Sequence, residues 1–139
     1  MKHCATSTTA LIAVMSIVLI ACGEPFVFSP EGVSGTYILA TINGNSLPTE
    51  STDGERYTAW SVTLNVDGSY LSSVTLDGNT FEFGWQFFLE EPDIIRLGSQ
   101  PSLGSVGLQG TLVSGKLTLY VPITLSSSLD DFDTFVFRK

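Results

Sequence analysis

The sequence predicts an all-β protein, an antiparallel up-and-down barrel of eight strands that follows a cleaved signal peptide. Apolar and polar residues alternate with a period of two along much of the chain after Cys22. Turn signals recur about every 8–12 residues, a spacing typical of sandwiches and barrels. No segment after Cys22 has helical periodicity of useful length. A two-sheet β-sandwich is the alternative architecture.

The first 21 residues have the organisation of a secretory signal peptide. Met1, Lys2 and His3 give a short positive start, and the twelve residues from Ala10 to Ala21 contain one Ser and no charge. At about 1.5 Å per residue, a helix of this length covers roughly 18 Å of a hydrocarbon core about 30 Å thick. The run is too short to span a bilayer comfortably, and its flanks predict removal of residues 1–21.

The end of this run resembles the lipobox of bacterial lipoproteins, in which Leu, a small or aliphatic residue, and Ala or Gly precede a Cys. The matching residues are Leu19, Ile20, Ala21 and Cys22. The resemblance implies that a diacylglyceryl group is attached to Cys22, that the chain is cut before it, and that the new amino group is acylated. Two or more acyl chains anchor a protein stably to a membrane. The alternative is an ordinary signal peptide whose cleavage site lies beside a Cys. The residue after Cys22 is Gly23 and not Asp, and by the same resemblance this indicates that the lipoprotein is sorted to the outer membrane.

The composition of the mature chain excludes several classes of function. Removal of residues 1–21 leaves 118 residues, the size of one domain, with 5 basic and 14 acidic residues and a net charge of −9. No nucleic acid partner is expected for such an acidic chain. The chain has no His and no Cys besides Cys22 after cleavage. Because His-dependent catalysis and nearly all zinc sites need these residues, we expect no enzyme, no cofactor and no metal.

The mature chain divides into a tether and a barrel domain. Residues 22–34 are predicted to be the lipidated Cys and a flexible tether that contains Pro and Gly. Residues 35–139 are predicted to form the barrel. Its eight strands are predicted over residues 35–42, 57–66, 69–77, 80–89, 93–98, 105–113, 116–123 and 133–138.

The length of one hairpin loop follows from keeping one face of the sheet apolar. A three-residue loop with Gly68 in a left-handed conformation pairs Leu64 with Tyr70 and Trp60 with Val74. A two-residue loop would instead place Tyr70 and Val74 on the face opposite Trp60. A one-residue change of register moves every side chain to the other face, so the three-residue loop is predicted.

The next hairpin is predicted to have a two-residue loop, Asp77-Gly78, which pairs Val74 with Phe81. The fourth strand then has one apolar face, which consists of Phe81, Phe83, Trp85, Phe87 and Leu89. Phe88 is the one apolar residue between Glu82 and Glu90 that falls on the other face. Such an apolar face must be buried, and closure into a barrel also removes exposed edges.

Several short motifs, in this order, resemble those of lipocalin-like bacterial lipoproteins. They are "GTYILATINGNSLP" (Gly35 to Pro48), "LNVDGSY", "GWQFFL" and the C-terminal "FVFRK". In lipocalins, a Gly-x-Trp motif on the first strand packs against a basic residue of the last strand. The resemblance implies that Tyr37 takes the place of the Trp and that Arg138 lies across its ring, a cation–π contact that closes the barrel.

The resemblance also implies an envelope lipoprotein whose barrel binds a small hydrophobic ligand. Eight strands leave an interior that side chains fill or that houses one ligand, and both outcomes stay open. The candidate lining of a cavity is aromatic and consists of Trp60, Tyr70, Phe83, Trp85 and Phe87. With a filled barrel, the alternative is a structural or interaction protein. Its protein partner would meet exposed apolar residues, for which Phe88 and Tyr120 are the candidates.

Two clusters of acidic residues are expected to be solvated loops. Asp130, Asp131 and Asp133 lie within four residues. Closely spaced carboxylates can hold Ca²⁺, but a good site needs about six to eight oxygen ligands. The second cluster, "EEPD" at 90–93, offers the paired carboxylates used in glycoside hydrolysis. Its Pro predicts a hairpin tip instead.

Overall fold

The computed structural model describes residues 27–98, 107–124 and 131–139. Its elements are α1 (Pro30–Val33), β1 (Gly35–Ile42), β2 (Asn45–Ser46), β3 (Thr49–Glu50), β4 (Arg56–Leu64), β5 (Ser69–Leu76), β6 (Asn79–Glu90), β7 (Ile94–Leu97), β8 (Leu108–Val113), β9 (Lys116–Pro122) and β10 (Phe132–Arg138). The eight longer strands form a closed antiparallel up-and-down barrel, as predicted. Closure occurs because β1 pairs with β4 on one side and with β10 on the other, which excludes a sandwich.

The two loop lengths predicted from the apolar pattern are confirmed. Trp60 pairs with Val74, and Leu64 pairs with Tyr70, across a loop in which Gly68 has a φ of 85°. At the following turn, Val74 pairs with Phe81, as a two-residue loop requires. The predicted strands match β1 and β4–β10 to within a few residues, and positions 105 and 106 of the predicted sixth strand lie outside the described residues.

The predicted tether is wrong at its C-terminal end, where the structure has α1. Ser29 is the N-cap, its side-chain oxygen accepts a hydrogen bond from the backbone N–H of Gly32, and Pro30 begins the helix. Val33 is fully buried in the barrel core. A single turn of helix has no periodicity for a sequence pattern to detect, which is why this segment resembles a linker.

The barrel has two different ends. The helix end is the end at which α1 lies beside the turns at 65–68 and 114–115. The loop end is the opposite one, where residues 43–55 connect β1 to β4. The buried core of the described residues has its first member at Val33 and its last at Phe137, so it includes α1 and the last strand.

Strand β6 extends past the neighbouring strand β7. Its first eight residues, 79–86, pair with β5, whereas only 87–90 pair with β7. Two thirds of β6 therefore has a strand partner on one side only, among the residues that the structure describes. The predicted burial of its whole apolar face is wrong for this reason, since Phe81, Phe83 and Trp85 are all exposed.

Candidate functional site

The five residues predicted to line a cavity fall into two groups. Trp60, Tyr70 and Phe87 are buried members of the hydrophobic core. Phe83 and Trp85 are 38% and 40% exposed, although their side chains point to the same side of the sheet. The structure therefore places three of the candidates in the packed interior and two at partly exposed positions.

The packed interior is organised around the indole of Trp60. Its ring makes edge contacts with Phe135 and Phe137, at centroid distances of 5.2 and 5.3 Å, and stacks on Tyr57 at 6.0 Å. Its Nε1–H donates a 2.6 Å hydrogen bond to the buried hydroxyl of Ser72. Aromatic pairs in such geometries stabilise a core beyond the area they bury. Trp60 thus fills space that a ligand would otherwise take.

Three tyrosine hydroxyl groups donate hydrogen bonds, two of them to backbone carbonyl oxygens and one to a carboxylate. Tyr37 donates to the carbonyl oxygen of Val33, and Tyr70 donates to that of Gly98, each at 2.6 Å. Burial raises the pKa of both phenols. The pKa of Tyr57 is raised further, by burial and then by the carboxylate of Glu55, to which it donates at 3.1 Å.

The exposed side chains on the inner face of β6 form what we call the aromatic row: Phe81, Phe83 and Trp85. Residues that pair directly across two antiparallel strands share one face of the sheet. The partners of the row on β5 are Val74, Ser72 and Tyr70, in that order, and all three are buried. The row therefore stands beside the core as an apolar ledge where β6 extends past β7.

One end of the aromatic row touches the end of β7. A methyl group added at Gly98 would lie 3.2 Å from Cδ1 of Trp85 and 3.5 Å from Cε2 of Phe88. The backbone N–H of Gly98 donates to the carbonyl oxygen of Gln86 at 2.9 Å. Because Gly98 has no side chain, both Trp85 on the inner face and Phe88 on the outer face can approach its backbone.

A second apolar surface lies on the outside of the barrel. We call it the outer groove and define it by Phe88, Arg96, Gln109, Tyr120, Pro122 and Phe132. It consists of two adjoining depressions of about 340 and 300 Å³, which share Gly107 and Gln109. Phe88 and Tyr120, the outward-facing residues proposed from the sequence, are both exposed here.

Asp133 is buried, so the expectation of a solvated acidic loop is wrong for this residue. Its carboxylate, 3% exposed, accepts hydrogen bonds from Nδ2 of Asn43 at 2.6 Å and from the Thr52 backbone N–H at 2.8 Å. The Thr52 hydroxyl donates a third, at 2.5 Å. Asp133 therefore fastens the long connection between β1 and β4 to the start of β10.

The other acidic positions form no metal site in the described part of the chain. No group of three or more His, Cys, Asp or Glu residues there has the arrangement to hold a metal ion. Asp130 lies outside the described residues, and Asp131 is exposed. In the second cluster, residues 91–93 form the β6–β7 turn, and the Glu90 carboxylate pairs with Arg96 at 3.0 Å.

The basic residue that lies over the ring of Tyr37 is Lys139, and the predicted contact with Arg138 is wrong. Arg138 pairs with Ile38, which points outward, so its side chain is exposed. Lys139 places its Nζ 5.8 Å from the centroid of the Tyr37 ring and donates a hydrogen bond to the carbonyl oxygen of Ser34. The last residue of the chain thus joins β1 and the C-cap of α1.

Replacing Lys139 with Gln should lower the free energy of unfolding by about 0.5–1 kcal/mol, because it removes a cation–π contact at a partly exposed site. Urea unfolding followed by circular dichroism measures this. Arg138→Gln is the matched control and should change stability by less than about 0.5 kcal/mol. Equal losses for the two variants would contradict the assignment of Lys139 over Tyr37.

The described residues contain no helix with the length and apolar character needed to cross a bilayer. No protein-family model, curated protein or solved structure matches this chain.

Proposed function

We propose that this protein is an envelope lipoprotein, anchored through acylated Cys22 in the outer membrane, whose barrel binds a small hydrophobic ligand at the aromatic row. The observation that supports the proposal most directly is the exposure of Phe81, Phe83 and Trp85 on the inner face of β6. Contiguous exposed apolar surface of this kind is typical of binding sites.

The packing of the interior favours a ligand at the row rather than in a central cup. Trp60, Phe135 and Phe137 occupy the middle of the barrel with edge-to-face contacts. A ligand would have to displace these side chains to enter there. At the row, by contrast, a flat or aliphatic molecule gains contact with three aromatic faces without moving the core.

The proposed anchor gives the barrel an orientation. Chain geometry limits the five residue steps from Cys22 to Val27 to less than about 18 Å. Val27 and α1 lie at the helix end, where the backbone oxygen of Val27 accepts from Ser29 N–H. Acylation of Cys22 would hold the helix end close to the bilayer. The loop end would then face the aqueous side.

Trp85→Ala should weaken the binding of the neutral apolar probe N-phenyl-1-naphthylamine to the chain from Gly23 onward by about five- to tenfold, since one aromatic contact is worth roughly 1 kcal/mol or more. Probe fluorescence in a titration measures the affinity. Leu71→Ala is the matched control, because Leu71 is similarly exposed on the opposite face of the same hairpin and pairs with Gly84.

An equal loss for the two variants would mean that the probe binds any apolar patch, and absence of binding would refute the proposal. Native and denaturing mass spectra, taken after incubation with envelope lipid extract, give an independent test. A mass that is lost on denaturation, and that Trp85→Ala no longer retains, identifies the ligand by weight.

A structural or protein-interaction lipoprotein with a filled barrel is the second candidate. The observation that favours it is the exposure of Phe88 and Tyr120 on the outer face, away from the aromatic row. Under this alternative, Trp85→Ala would leave probe binding unchanged, and the double variant Phe88→Ala with Tyr120→Ala would abolish recovery of a specific partner from envelope extracts.

A further inference from the structure

We propose that the outer groove is a second binding site, separate from the aromatic row, and that it binds an anionic amphiphile with its head group at Arg96. The residues that form it come from five consecutive strands. Phe88 pairs with Arg96, Arg96 with Gln109, and Gln109 with Tyr120. Phe132 pairs with Pro122 in the next row. The groove thus crosses β6 to β10 on the outer face.

The shape of the groove fits a small molecule better than a flat protein surface. Each depression, of about 340 and about 300 Å³, lies near the lower end of the range for small-molecule sites. Phe88, Tyr120 and Phe132 stand exposed as walls. Gly107 and Gln109 line both depressions, so the two adjoin on the outer face.

The charge of the groove determines the class of ligand. Arg96 is the one charged residue among the described residues that line either depression. The whole chain has 14 acidic and 6 basic residues, so this guanidinium is a rare cationic group on an acidic chain. A guanidinium group has five N–H donors in a planar fork that suits a carboxylate or another oxyanion. An anionic head group at Arg96 would extend its apolar body toward Tyr120 and Phe132.

The ion pair of Arg96 with Glu90 is too weak to prevent an anion from binding to the guanidinium group. Nη2 of Arg96 lies 3.0 Å from Oε2 of Glu90, and both side chains are more than half exposed. Exposed pairs of this kind contribute little to stability. Glu90 is therefore a weak competitor for Arg96, and its removal should strengthen anion binding without unfolding the barrel.

The test uses octanoate, octan-1-ol and octylammonium, which share one apolar body and differ in charge. Each is titrated at neutral pH into the ¹⁵N-labelled chain from Gly23 onward, and amide chemical shifts give affinity and location. We expect octanoate to bind about fivefold more tightly than octan-1-ol and octylammonium to bind least, with shifts centred on Gly98, Gln109 and Tyr120. This order is the reverse of what the net charge of −9 of this chain would produce by itself.

Variants separate the head-group contact from the apolar contact. Arg96→Gln should remove the preference for octanoate over octan-1-ol, Glu90→Gln should strengthen octanoate binding about two- to threefold, and Tyr120→Ala should weaken both probes. Leu71→Ala removes an exposed apolar side chain outside both surfaces and should leave all three affinities unchanged, and the location of the shifts keeps this site distinct from the aromatic row. Equal affinity for octanoate and octan-1-ol, shifts centred on Phe83, or no binding at all would each overturn the proposal.

Discussion

Replacing Trp60 with Ala should lower the free energy of unfolding of the barrel by about 4 kcal/mol, within the range of about 3–5 measured for buried aromatic residues. The indole contacts three aromatic rings in the middle of the core. Its loss would leave a cavity among Tyr57, Phe135 and Phe137. It would also leave the buried Ser72 hydroxyl without the donor that now satisfies it. Urea unfolding followed by far-ultraviolet circular dichroism measures the change.

Trp85→Ala is the matched control, since these are the two tryptophans of the chain. Trp85 is 40% exposed and lies against the backbone of Gly98, just after β7. We expect its removal to cost about 1 kcal/mol or less, as substitutions of partly exposed residues usually do. Trp60→Phe keeps most of the ring and loses the hydrogen bond, so it should fall between the two. Equal costs at positions 60 and 85 would mean that the aromatic row belongs to the core, and the proposed ligand site would be lost with it.

Replacing Asp133 with Ala should cost about 3 kcal/mol. The substitution leaves three donors, on Asn43 and Thr52, without the acceptor they share. Hydrogen bonds to a charged group contribute about 1.5–3 kcal/mol each, and the three are lost together, although Asn43 and Thr52 are exposed and regain bonds to water. The same unfolding measurement applies. Hydrogen exchange should locate the loss in residues 43–55 and at the start of β10.

Two further variants make the test specific to burial. Asp133→Asn preserves the shape and one acceptor oxygen, so we expect it to cost roughly half as much as Asp133→Ala. Glu82→Ala removes an exposed carboxylate from β6 and should change stability by less than about 0.5 kcal/mol. If Asp133→Ala costs no more than Glu82→Ala, the carboxylate is solvated in solution, and residues 43–55 are held by other contacts.

The register of the hairpins could be predicted from the sequence because it depends on short-range information. Once Trp60 and Leu64 must share a face with Val74 and Tyr70, only a loop of odd length is compatible with the pleat. Gly68 in a left-handed conformation then supplies the residue that such a loop needs. The number of strands follows from the repetition of this pattern, whereas closure into a barrel rather than a sandwich depends on the pairing of β1 with both β4 and β10.

The candidate site depends on information that no local pattern contains. Alternation identified the face to which Phe83 and Trp85 belong, but exposure of that face depends on how far the neighbouring strand extends, and β7 has four residues. Asp133 has partners 81 and 90 residues away, and its local sequence resembles a solvated loop. The contact of Lys139 with Tyr37 was not predicted because the resemblance assigned it to Arg138, one residue earlier. Neighbouring residues of a strand point to opposite faces, so an error of one residue selects the wrong side of β10.

The pairing of β1 with β10 also determines when the protein can fold. The first and last strands of the barrel are hydrogen-bonded neighbours, and the bond from Asn43 to Asp133 spans 90 residues. Closing so long a loop costs chain entropy before the native contacts form. Folds in which most contacts join residues distant in sequence therefore form slowly. The barrel cannot close until its final strand has been synthesised.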